Sequence, residues 1–154
     1  MAKIIALGCQ VADIHHRYSA IHNSLFGITS YRLAVAAMLG KTETTYREYE
    51  IVLDGLWNEL DGMAEQVSHA ATQERVSRGP DQLPQALVQY THALHEAIAH
   101  LRNICHEHQK NKVGYRDIDT EGGSRFNQDK VAYDLAITKL EHLGTKLNKL
   151  FSSY

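Results

Sequence analysis

The sequence predicts an all-α fold: an antiparallel four-helix up-and-down bundle with a long loop between the third and fourth helices. Three observations carry this. Apolar residues recur at alternating steps of three and four in four separate segments, which lays one apolar stripe along each helix. Glycine and proline fall between the stripes and not within a strand-like alternation. The first two connections are short enough to return the chain as helical hairpins.

The first stripe is Leu7, Val11, Ile14, Tyr18, Ile21, Leu25 and Ile28, with Gly40 following the first helix. The second runs Tyr49, Leu53, Leu56, Leu60, Met63, Val67 and Ala70, and is expected to be one unbroken helix. Thr42 or Thr44 can cap it, and Glu43, Glu48 and Glu50 suit its positive N-terminal end. Gly79 and Pro80 end it. Asp81 can cap the third helix and Pro84 is tolerated in its first turn. That helix carries Leu87, Tyr90, Leu94, Ala97, Leu101 and Ile104, and the fourth carries Ala136, Leu140, Leu143, Leu147 and Leu150. Ile98, Cys105, Val131 and Ile137 widen the stripes, as burial on two sides or contact with a second copy requires. Between them, QKNKVGYRDIDTEGGSRF, residues 109 to 126, lacks periodicity and reads as the long loop, with the helix resuming near Asn127 or Asp129. Loops of such length in compact domains are usually functional or disordered.

At 154 residues the chain suits one domain, residues 1–154, with a core that needs no staples. A formal charge of -2 gives no global basic field to draw it onto nucleic acid or anionic lipid, so any such contact must be local. Ten histidines make the net charge swing positive as pH falls through about 6.5. The two cysteines, Cys9 and Cys105, form no CxxC pair, and free thiols in a reducing cytoplasm are the expected state. The apolar run before Cys9, Ile4 to Leu7, is shorter than the ~7–15 residues of a signal sequence. LAVAAML at 33 to 39 is far short of the ~18 of a membrane span, so no membrane association is expected.

One stretch stands out chemically: LRNICHEHQKNK, residues 101 to 112, at the close of the third helix. Arg102 and His106 lie about 40° apart around a helix and share a face, whereas His108 lies about 120° from Arg102. Without chemistry, His106 is a solvated imidazole at a helix end, favoured there by the dipole, and His108 is a boundary residue.

Arg102, Asn103 and His108, with five residues between the arginine and the second histidine, resemble the signature of the HEPN superfamily of helical-bundle ribonucleases and nucleotide-binding domains, particularly its abortive-infection and toxin-type members. The resemblance spans about eight residues. It implies metal-independent RNA cleavage, with no cofactor. Arg102 would stabilise charge growing on the phosphate as the 2′-hydroxyl attacks. His108 would carry protons, with His106 as a second candidate, and Asn103 would orient the phosphate or the catalytic side chains. Such sites are built across a two-fold homodimer, so the partner would supply the half that one straight helix separates. An antitoxin or other protein partner is also implied for a toxin-type member. In the loop, Lys110, Lys112 and Arg116, together with Arg125, would then meet flanking phosphates, and Tyr115 would stack on an unpaired base. Asp117, Asp119 and Glu121 offset that charge.

Other readings stay open. His15 and His22, or His92, Glu96 and His100, could build an imidazole-rich metal site between helices, although the paired Glu-x-x-His pattern of di-iron bundles is absent. Ala99 to Arg102 lacks the lysine and glycine expected after a phosphotransfer histidine. The alternative is a noncatalytic bundle that binds another protein or oligomerises, which nothing in the pattern excludes.

Overall fold

A computed structural model describes residues 2–26, 42–74, 82–110 and 121–152, and among these every residue except Asp61 and Gly62 is α-helical. The elements are α1 (Ala2–Phe26), α2 (Thr42–Leu60), α3 (Met63–Glu74), α4 (Gln82–Lys110) and α5 (Glu121–Ser152). None of the described helices is long and apolar enough to cross a membrane. Ile28, Gly40, Gly79, Pro80 and Asp81 lie outside the described residues, as do the side chains of Thr42 and Thr44.

The four stripes become one core. Leu7, Val11, Ile14, Tyr18 and Ile21 of α1 are buried with Leu53, Leu56 and Leu60 of α2, Met63, Val67 and Ala70 of α3, and Ala136, Leu140 and Leu147 of α5. The organising element is α4, which packs against α1, α2, α3 and α5. Its buried set, including Leu87, Ala93, Leu94, Ala97, Ile98, Leu101, Ile104 and Cys105, is wider than a single stripe. The small side chains of Ala93 and Ala97 let neighbouring helices approach, and the leucines fill the space between them. Each fully buried leucine contributes about 1.5–3 kcal/mol relative to exposure. Of the residues expected to widen the stripes, Val131 is 60% exposed and faces outward near Leu135 on α5.

Cross-helix contacts show how the elements run. Lys3 reaches Gln73 and Arg17 reaches Glu59, while Arg102 reaches Asp54 and His106 reaches Glu50. Lys139 meets Glu96, and Tyr133 of α5 meets Tyr18 of α1. Along α1 against α2 and α3, and along α4 against α2, residue numbers rise on one side as they fall on the other.

Two boundaries differ from the sequence expectation. The second arm is not one helix: Gly62 adopts φ 81°, a left-handed conformation that glycine reaches without a Cβ clash, and this ends α2. The Asp61 N–H donates to the Trp57 carbonyl at 2.9 Å, and the Gly62 carbonyl accepts from Gln66 N–H at 3.1 Å, so hydrogen bonding resumes at once. Leu60, Met63 and Val67 therefore stay buried across the break, which is why periodicity does not reveal it. The second difference is at the expected 109–126 loop. Helix α4 continues to Lys110 and α5 begins at Glu121, six residues before Asn127; Gly122 and Gly123 cost helix propensity without preventing it.

The break separates two glycines by a test. Gly62→Ala is expected to destabilise the fold by about 1 kcal/mol or more, because alanine is strained at positive φ. Gly55 sits on the exposed side of α2 with nothing within 4 Å of an added Cβ, so Gly55→Ala is expected to stabilise by about 0.5–1 kcal/mol. Urea midpoints moving in opposite directions would verify the pair.

Candidate functional site

The α4 motif meets α2 through a polar ladder. The apolar side of α2 is set by Leu53, Leu56 and Leu60, and Glu50 and Asp54 lie one turn apart beside it. On α4, Arg102 and His106 are likewise one turn apart, beside buried Leu101 and Cys105. Because the two helices run side by side, one register matches both pairs. Arg102 Nη1 donates to Asp54 Oδ1 at 2.9 Å, and His106 Nδ1 lies 2.8 Å from Glu50 Oε1. The Arg102 guanidinium carbon also sits 5.2 Å from the centre of the Trp57 ring, which stacks on His95 at 4.4 Å and 22°.

Solvent reaches this ladder unevenly. The Arg102 and His106 side chains are 28% and 47% exposed, against 56% for Asp54 and 25% for Glu50. Partly exposed pairs of this kind contribute at most about 1 kcal/mol each, so they refine a register that the core sets. The carboxylates were not legible as site residues: Glu50 read as an acid near a helix start and Asp54 as nothing. Their spacing of four beside an apolar stripe, matched to Arg102 and His106, is the signal that would have found them.

The motif residues are only partly brought together. Arg102 and His106 share the α2-facing side of α4, and Asn103 is exposed beside them. The helix is unbroken from Arg102 to Lys110, so no kink draws His108 toward Arg102 within the chain. The side chains of His108, Lys110 and Arg125 lie outside the described residues, as do Lys112, Tyr115 and Arg116 entirely. Glu107 is half-buried.

Of the histidines in the metal reading, His15 and His22 have other contacts. His22 Nδ1 lies 2.7 Å from the Tyr133 hydroxyl, which is 2.5 Å from the Tyr18 hydroxyl, forming a polar chain between α1 and α5. Tyr133 is fully buried and escaped the sequence stripes, since a tyrosine outside the apolar rhythm gives no sign of being internal. The His15 ring lies against Tyr18 and Tyr90, with centroids 6.1 and 6.0 Å apart. His92 is exposed, and His100 lies 3.8 Å from Glu96. Among the described residues no three metal-ligating side chains gather. A shallow cleft of about 460 Å³ beside the α2–α3 break is lined by Cys9, Asp13, Arg17, Glu59 and Met63. There Arg17 is matched by Asp13 at 3.1 Å and Glu59 at 2.9 Å.

Burial dominates the titrating groups. It pushes the Tyr18 and Tyr90 phenols up to about 12, raises Tyr133 still more, and lifts the Cys105 thiol to about 12, with Glu50 adding to the last. It lowers His15, with His16 contributing, and His22, with Lys130 contributing. His95 is lowered by burial against an opposing pull from Asp61. Because folding lowers the affinity of these imidazoles for a proton, below about 6.5 the unfolded chain binds more protons than the folded one. Their contribution to stability is complete above that pH and is lost as pH falls toward the depressed folded values. The urea midpoint is expected to drop between pH 7 and pH 5, and to drop less steeply in His22→Gln.

Comparison of the chain with known protein families, curated proteins and solved structures gives no match.

Proposed function

We propose that this chain is a HEPN-like, metal-independent endoribonuclease of the toxin or defence type, with a composite site at a homodimer interface. The observation that carries the reading is the placement of Arg102 and His106 on one partly exposed side of α4, a turn apart, inside the Arg-Asn-x4-His stretch. Cleavage of RNA by its own 2′-hydroxyl needs a cation beside the phosphate and groups that take one proton and return another. Arg102 supplies the forked cation. His106 and His108 supply two imidazoles for the proton transfers, and Asn103 supplies an amide to orient the phosphate. A second copy, docked along the exposed edge of α4, brings its own His108 toward the Arg102 that a straight helix keeps apart. Lys110, Lys112, Tyr115 and Arg116 follow the motif and would guide the flanking RNA.

A second reading has its own observation. Arg102 already pairs with Asp54 and lies over Trp57, which is what a residue tying α2 to α4 in a noncatalytic interaction module would do. The two differ in what mutation removes. The ribonuclease reading expects cleavage of single-stranded RNA in EDTA, reduced roughly 100-fold or more in Arg102→Ala, His106→Ala and His108→Ala while helicity and oligomeric state persist. RNA turnover no greater in wild type than in the Arg102→Ala, His108→Ala double variant would reject it and favour the interaction module.

A further inference from the structure

Resting on the ribonuclease reading above, we infer that Glu50 is a positioning residue: its carboxylate holds the His106 imidazole as the Nδ1–H tautomer and turns Nε2 outward to exchange a proton with RNA. The His106 Nδ1 to Glu50 Oε1 distance is 2.8 Å. An ionised carboxylate only accepts hydrogen bonds, so the proton between them belongs to Nδ1. In the neutral ring this leaves the lone pair on Nε2, at the other side of the imidazole from Glu50. The two partners differ in exposure in the direction this role requires. Glu50 is the more enclosed, at 25% side-chain exposure, and His106 the more open, at 47%.

Glu50 is carried on a packed helix. It sits two turns into α2, next to half-buried Tyr49 and one turn before the Asp54 that pairs with Arg102. Glu50 and Asp54 ride on one helix and Arg102 and His106 on another, so the separation between cation and imidazole follows from two helical backbones. Groups carried on packed helices keep their geometry better than groups on loops. A carboxylate behind an imidazole selects its tautomer and orientation without itself touching the substrate.

The full-length protein tests this with ¹⁵N NMR of His106 at about pH 8, where an ordinary imidazole is neutral, together with cleavage of a mixed-sequence single-stranded RNA oligonucleotide. Wild type is expected to show the Nδ1–H tautomer, and Glu50→Ala to shift His106 toward Nε2–H. Glu50→Gln, whose side-chain carbonyl still accepts, should keep the wild-type form. In the cleavage assay Glu50→Ala should lower kcat roughly 10-fold or more with KM within about twofold, and Glu50→Gln should restore most of it. An unchanged tautomer in Glu50→Ala would overturn the inference, and so would a shifted tautomer with unchanged kcat. A shifted tautomer in a protein whose wild type cuts no RNA would instead overturn the ribonuclease reading and leave the Glu50–His106 orientation standing.

Discussion

Burial of α4 against its neighbours is the constraint on which the rest of the bundle depends. Leu87, Leu94, Ile98, Leu101 and Cys105 are fully enclosed, which spreads the buried surface of α4 beyond a single stripe. The contribution of one such leucine, about 1.5–3 kcal/mol, exceeds that of a partly exposed ion pair, at most about 1 kcal/mol. The apolar contacts therefore set the register, and the polar ladder conforms to it.

That hierarchy explains how an ordered site arises on the rim. Both α2 and α4 rise about 1.5 Å per residue, so a pair four apart on one matches a pair four apart on the other once the core has aligned them. Asp54 meets Arg102 and Glu50 meets His106 through the same alignment. On the α1 and α5 side the logic differs, because Tyr18 and Tyr133 bring hydroxyls into the interior. A buried hydroxyl without a hydrogen bond costs free energy, and the chain from Tyr18 through Tyr133 to His22 meets that requirement. Those bonds also make the α1–α5 pairing selective, since a shift of one turn would separate the hydroxyls.

Most of the fold was legible in particular residues. Leu53, Leu56, Leu60, Met63 and Val67 were expected to face the core and do. The Asp61–Gly62 break was not legible, since glycine there changes the backbone while the apolar rhythm continues on both sides. The early start of α5 was hidden for the opposite reason: Glu121 to Phe126 lacks an apolar stripe, yet its backbone is helical. Within the candidate site, helix angles alone placed Arg102 and His106 on one side of α4. Their acidic partners lie 48 and 56 residues away in sequence, a pairing that no local pattern encodes.

Local spacing along the chain thus determined the all-α class, the stripes that build the core and the shared face of Arg102 and His106, because helix periodicity is a property of neighbouring residues. Only the tertiary structure decided that Glu50 stands behind His106, that Asp54 and Trp57 hold Arg102, and that Tyr133 joins His22 to Tyr18. Those contacts depend on which helices lie side by side and in what register. That choice is made by how the whole apolar surface of α4 is covered, a sum over the entire core that no single segment contains.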